Sequence, residues 1–432
     1  MDLLRYFCML IQIKTLTNVN VKKISRDRLR CSLVILICQF MVIANSFAME
    51  VDLSGFISIG AAKFDDDTVT YGSISGKTDY DMDSVLGVQL EIAANEKLSG
   101  TLQAITRGYT SEDIDEYQPK FSWAYVTYDV TPGWRLRFGR LQMPRYLLSD
   151  FVEVGYAYLW ARPPLDVYPL LLSPISNYDG INVFYTGKRG GYDLTGEFYF
   201  GQFEKSVGGA LVESDNLRGI NLSMGNKFYN LHYGYMQSPM SMSVDALTSL
   251  VNGLRSYANV NEIFPQIGNA LIVDDDLYHY HSLGASFEYE QWILQHETIL
   301  ANIDHAYLTD FKASFLSFGY QTELLTPYIV VGTSQSKTSN QLGDLINESI
   351  VLEPNVDPTL NMFRNFAKLA ILPDIKQNTL TFGLRTDPLD NIAVKLEAQQ
   401  IRPSDGTWGQ LVGSLSEPHN TWLYSIVVDA IF

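Results

Sequence analysis

The stretch WLYSIVVDAIF, residues 422 to 432, carries an apolar or aromatic residue at every second position: Trp422, Tyr424, Ile426, Val428, Ala430 and Phe432. The positions between include Ser425 and Asp429. A period of two marks a strand with two unlike faces. It ends on an aromatic ring, with no turn after it.

The same period recurs after Glu50. In GVQLEIAAN, Val88, Leu90 and Ile92 oppose Gln89 and Glu91. In KLSGTLQAITR, Lys97, Ser99, Thr101, Gln103 and Arg107 oppose Leu98, Leu102 and Ala104. NIAVKLEAQQ sets Asn391, Lys395, Glu397 and Gln399 against Ile392, Val394 and Leu396. There are about sixteen such segments of roughly ten residues, the length a tilted strand needs to cross a bilayer.

The connections alternate in length. Short ones lie near 95 and at 131–133, 187–191, 225–227, 289–291, 322–325 and 386–390. Long ones span 64–83, 108–120, 141–177, 202–215, 238–277, 302–310, 336–376 and 402–420. A soluble sandwich has no reason for this alternation. A transmembrane antiparallel β-barrel of about sixteen strands does, with short periplasmic turns and long external loops. The barrel has no edges, so the last strand must pair with the first, near VDLSGFISIGAA. Trp422, Tyr424, Ile426, Val428, Ala430 and Phe432 then face lipid, and Thr421, Ser425 and Asp429 face a polar lumen. Two long loops, 241–260 and 340–372, lose the period of two and read as amphipathic helical pieces on the external rim.

The N-terminus reads as a signal peptide over residues 1–48. Lys22, Lys23, Arg26, Arg28 and Arg30 precede an apolar run at 31–43, and Ser46 and Ala48 suit cleavage after Ala48. Residues 1–20 read as a gene-model extension upstream of a start at Val21. The rest, 49–432, is a single barrel domain. Cys8, Cys31 and Cys38 all precede the cleavage site, which excludes disulfide and thiol chemistry from the mature chain. The net charge of −17 argues against a nucleic-acid partner. No cofactor or metal motif is present. The acidic stretches FDDD (64–67), DYDMD (79–83) and VDDD (273–276) lack EF-hand spacing and read as solvated loops.

The ending resembles the C-terminal assembly signal of Gram-negative outer-membrane barrels, carried here by Phe432 and Tyr424. The stretch WAYVTYDVTPGWRLRFGRLQMPRYLLSDFVEVGYAYLWARPP (123–164), continued by SNYDGINVFY (176–185), resembles a porin-like group of marine and related Gammaproteobacteria. That resemblance implies an outer-membrane location among lipid and lipopolysaccharide, recognition by the barrel assembly machinery, and the option of a homotrimer. It also implies a third long loop folded into the lumen, with acids on the loop facing bases on the wall. The loop 141–177 fits by composition. It carries Phe151, Tyr156, Tyr158, Leu159 and Trp160, an apolar set that must bury itself, and the lumen wall is the available surface.

Arg135 and Arg137 alternate with Trp134, Leu136 and Phe138, which points both arginines inward. Arg107 lies inward near the top of its strand. With Asp150, Glu153 and Asp166 on the loop they form the expected pore constriction. Arg140 breaks the alternation and is expected at the loop hinge, beside an acid. Trp123 and Tyr125 share an inward face with Thr127 and Asp129. The function these features imply is passive diffusion of small hydrophilic solutes and ions. The alternative is a substrate-specific channel, for anions such as phosphate or for sugars, on the same barrel. A plugged structural barrel and a barrel enzyme are weaker alternatives. None of the six histidines, His232, His279, His281, His296, His305 and His419, has an evident Ser/Asp setting, so no enzyme activity is expected.

Overall fold

The computed structural model describes residues 49–112, 114–169, 175–371, 374–413 and 417–432. The expected signal peptide, residues 1–48, lies outside these residues. Sixteen antiparallel strands close into a barrel. They begin with β1 (Glu50–Phe64), β3 (Val85–Asn95), β4 (Leu98–Arg107), β5 (Lys120–Thr131) and β6 (Trp134–Gln142). Next come β7 (Asn177–Arg189), β8 (Tyr192–Val207), β9 (Ala210–Gly225), β10 (Tyr229–Ser243), β11 (Val273–Tyr289) and β12 (Trp292–Ile303). The circuit ends with β13 (Thr309–Tyr320), β14 (Thr326–Thr338), β15 (Lys376–Leu389), β16 (Ile392–Pro403) and β18 (Thr421–Ile431). Two further strands, β2 (Val69–Thr70) and β17 (Val412–Gly413), form a small ribbon between the first and last long loops.

Each strand pairs with its chain neighbour in the circuit, and β18 closes it on β1, with Ser58 opposite Asp429 and Phe64 opposite Leu423. Closure leaves no main-chain ladder unpaired, which a lipid environment demands. Side chains follow the pleat. On β18, Tyr424, Ile426 and Val428 point outward, while Leu423, Ser425, Val427 and Asp429 are buried inside. Phe121, Phe138, Phe198, Phe200, Phe318 and Phe382 belong to an outward apolar belt too large for contact with water.

One expected loop is not a loop. Residues 202–215 continue β8 and β9 as a long hairpin, turned by Gly208 and Gly209 with φ of +58° and +81°. Two successive positive φ values suit the twist of a tight hairpin, and glycine adopts them without strain. Here the outward residues are Gln202, Glu204 and Ser206 on β8, with Glu213 and Asp215 on β9. The strands rise beyond the apolar belt, so the lipid-dictated pattern stops while the ladder continues.

The two helical loops form four helices: α1 (Asp245–Arg255), α2 (Ile263–Ala270), α3 (Gln341–Leu352) and α4 (Pro358–Leu369). α2 lies beyond the stretch read as helical. They bury Leu254, Phe264, Ile267, Leu342, Leu360 and Ala367 against one another at the long-loop end. Asp357 caps α4, its carboxylate accepting from the amides of Thr359 and Leu360 at 2.9 and 3.1 Å, with Pro358 at the first position. Arg364 donates to the carbonyls of Ser349 and Glu353, satisfying the end of α3.

Candidate functional site in the barrel lumen

The chain between β6 and β7 turns inward and crosses the lumen. Tyr158, Leu159, Trp160 and Val167 pack against wall residues Ile299, Phe315, Tyr328 and Val330 of β12 to β14. Trp160 meets Phe315 edge-on, with centroids 5.2 Å apart, and its indole N–H donates to Ser317 at 2.8 Å. An indole buried in this way needs such an acceptor.

Polar anchors fix the loop to the same wall. Glu297 accepts from the amide of Leu147 at 2.9 Å and from the Tyr168 hydroxyl. Glu397 accepts from the amide of Ala161 at 3.0 Å and from the Tyr328 hydroxyl at 2.8 Å. Lys395, with no exposed surface, donates to the carbonyl of Gly155 at 2.6 Å and lies 2.9 Å from the Asp429 carboxylate. Ser58 donates to the other Asp429 oxygen. A Cβ on Gly155 would sit 2.1 Å from Asp429 Oδ1, so only glycine fits this seat. Arg162 forks onto Asp83, with one nitrogen at 2.9 Å, and donates to Ser425 at 2.7 Å. Each buried charge thus has an opposite charge or hydrogen-bond donors.

The six residues expected at a constriction fall into four settings. Arg135 and Arg137 point inward from β6. Their guanidinium carbons lie 4.5 and 4.7 Å from the centroid of Phe184, and Arg137 also lies 5.6 Å from that of Tyr125. Cation–π contacts hold both arginines, and no carboxylate among the described residues forms an ion pair with either. Asp150 opens onto the lumen from the loop. Enclosure by the barrel raises its carboxyl above the ordinary value, and the Arg137 charge acts in the opposite sense. Glu153 and Arg107 form a direct ion pair that ties the loop to β4.

Asp166 corrects the expectation. It has no exposed surface and accepts from Thr379 and Gln377, near the long-loop end of β15. Burial pushes its carboxyl up to about 6, against the pull of those hydrogen bonds. It secures the loop to the wall and has no surface open to the lumen.

Arg140 pairs with Asp179 at 2.7 and 2.8 Å beside the loop's entry and exit. FDDD fastens loops together: Asp65 accepts from Thr421 and the amide of Trp422, and Asp66 accepts from Thr68 and contacts His419. No cluster of three or more metal-ligating side chains occurs among the described residues. Lys395, Glu397 and Asp429 were read from the sequence as inward-facing but not as anchors, Glu297 was not singled out, and Asp83, read as part of a solvated loop, is instead buried in its pair with Arg162. Their loop partners are distant in the chain.

Neither a protein-family model nor a curated protein matches the sequence. Solved structures do match. An anion-selective porin from Comamonas acidovorans aligns with TM-score 0.53 and 11% identity, over 89% of this chain and all of that one. The outer-membrane channel DcaP of Acinetobacter baumannii aligns with TM-score 0.51 and 12% identity, over 89% and 97%. Salmonella typhi OmpF aligns with TM-score 0.52 and 12% identity, over 88% and 97%. At these identities the likeness is one of fold: the chain has the porin barrel architecture.

Proposed function

We propose that this protein is an outer-membrane porin through which small hydrophilic solutes and ions diffuse passively. The observation that carries the reading is the inserted loop inside a closed barrel, with Arg135 and Arg137 on one wall and Asp150 on the loop. Fixed charges of opposite sign across a narrow aqueous path filter ions and orient dipolar solutes. The apolar outer belt requires lipid, and a barrel of this architecture belongs in an outer membrane. The reading carries with it export through the 1–48 segment, lipopolysaccharide neighbours, recognition of Phe432 and Tyr424 during assembly, and a trimer as the oligomer to look for.

A catalytic reading has little to stand on. His232 and Ser282 lie 3.3 Å apart, but both are buried and Ser282 donates its proton to the carbonyl of Arg145 at 2.6 Å. A nucleophile needs an accessible oxygen whose proton goes to the base.

The test is planar-bilayer conductance of the refolded protein, with liposome swelling in parallel. Stepwise ohmic currents and solute flux support a pore. An inserted, folded barrel giving neither is a plugged one.

A further inference from the structure

A cavity of about 170 Å³ lies between the inserted loop and the wall of β1, β3 and β4, towards the long-loop end. Rings of Tyr71, Tyr109, Tyr146, Tyr158 and Tyr168 contribute to its lining. Two ion pairs span its edges, Arg107 with Glu153 and Arg162 with Asp83. The lining comes from the first long loop, the second and the inserted one. A solute entering by that mouth therefore meets the cavity on its way to the Arg135 and Arg137 wall.

We propose that this cavity is a binding site for a neutral polyhydroxylated solute, a sugar of one ring. The inference rests on the channel reading and names its substrate class. Three properties select that chemistry. The room equals about six waters at roughly 30 Å³ each, a volume suited to one ring with its hydroxyls. Four of the lining charges come as two ion pairs, each offering fixed donors and acceptors together, while the fifth, Arg145, lies against the rings of Tyr146 and Tyr280. A hydroxyl uses both, whereas an anion would face the Glu153 and Asp83 carboxylates. The tyrosines supply flat apolar faces for the C–H faces of a pyranose, the mix of apolar lining and few placed polar groups that small-molecule sites have. Arg107 also keeps its buried Nε donor without a partner among the described residues.

The experiment titrates D-glucose, maltotriose and inorganic phosphate into the detergent-refolded barrel by calorimetry, and in parallel follows current block in planar bilayers. We expect glucose to bind one site and to block current, with maltotriose no tighter than glucose. Tyr109→Ala and the near-isosteric Glu153→Gln, each folded by gel heat-modifiability, should weaken glucose roughly tenfold. Phosphate binding tighter than glucose, absent glucose binding, or unchanged glucose affinity in both variants would overturn the assignment. Currents without sugar heat defeat this inference alone. Sugar heat without currents defeats the channel reading and leaves the site standing.

Discussion

Phe432 and Gly55 exchange both main-chain hydrogen bonds, at 2.8 and 3.0 Å, and the Phe432 ring lies over the face where Gly55 has no side chain. A Cβ on Gly55 would stand 2.5 Å from the ring. The terminal aromatic is therefore part of the seam, fitted to a glycine on the first strand.

Deleting Phe432 should reduce the amount of folded protein in the outer membrane severalfold while leaving correctly folded barrels able to conduct. Gly55→Val should act in the same direction by displacing the ring. Heat-modifiable protein in membrane fractions measures this. Normal levels of the truncated chain would separate the terminal ring from assembly.

Gly155→Ala should loosen the loop, because its Cβ would overlap Asp429. Overpacking of this kind costs roughly 1–3 kcal/mol. Lys395→Met leaves Asp429 buried without its cation, at a cost of roughly 3–5 kcal/mol. Both should give larger and noisier single-channel currents. Currents identical to those of the parent would mean that the loop does not bound the conducting path.

Replacing Arg135 and Arg137 together with Ala should raise cation preference. A fixed charge near a water-filled path contributes about 1 kcal/mol at 4 Å, enough for a severalfold change in permeability ratio. The reversal potential in a salt gradient reads it. No shift would place both arginines off the ion path.

In the parent pore we expect weak cation preference at low salt that fades as salt rises. Much of the negative charge sits in the long loops, where it acts only within a Debye length of about 8 Å at physiological ionic strength. At the wall, Arg135 and Arg137 face Asp150, while Arg107 and Glu153 neutralise each other. Strong anion selectivity that persists in molar salt would show that the arginines dominate.

Asp166 gives a pH dependence. Its carboxyl is raised in the folded protein from 3.8 to about 6. Between those values the folded chain holds a proton that the unfolded chain has released. This contribution to stability is complete below 3.8 and is lost as pH rises through 6. Hydrogen exchange of the 161–168 amides, corrected for intrinsic rate, should show stronger protection at pH 5 than at pH 7.5. Asp166→Asn should reduce that difference, and an unchanged difference would assign it to another group.

The barrel was legible because lipid dictates it residue by residue: Tyr424, Ile426 and Val428 are apolar because of what lies outside them. That constraint ends at the membrane surface, which is why the β8–β9 hairpin beyond Gln202 looked like a loop. The inward direction of Arg135 and Arg137 followed from the same alternation. The role of Asp166 did not, because composition marks an acid on a loop without saying which wall covers it. Arg107 and Glu153 meet in a direct ion pair that nothing in their spacing announced. The anchors link residues 79 to 263 positions apart, as with Arg162 to Asp83 and Arg162 to Ser425, and no local pattern encodes such a pairing.

Gly155 touches Ser58 of the first strand, Lys395 of β16 and Asp429 of the closing strand. Arg162 reaches Ser425 on that same strand. During synthesis the loop therefore emerges well over a hundred residues before most of its seat exists. Until then Leu159 and Trp160 have no wall to cover them, and contacts so distant in sequence form slowly. The nascent chain carries its stickiest segment unsheltered while well over a hundred further residues are made, a chronological demand that falls on whatever escorts it to the membrane.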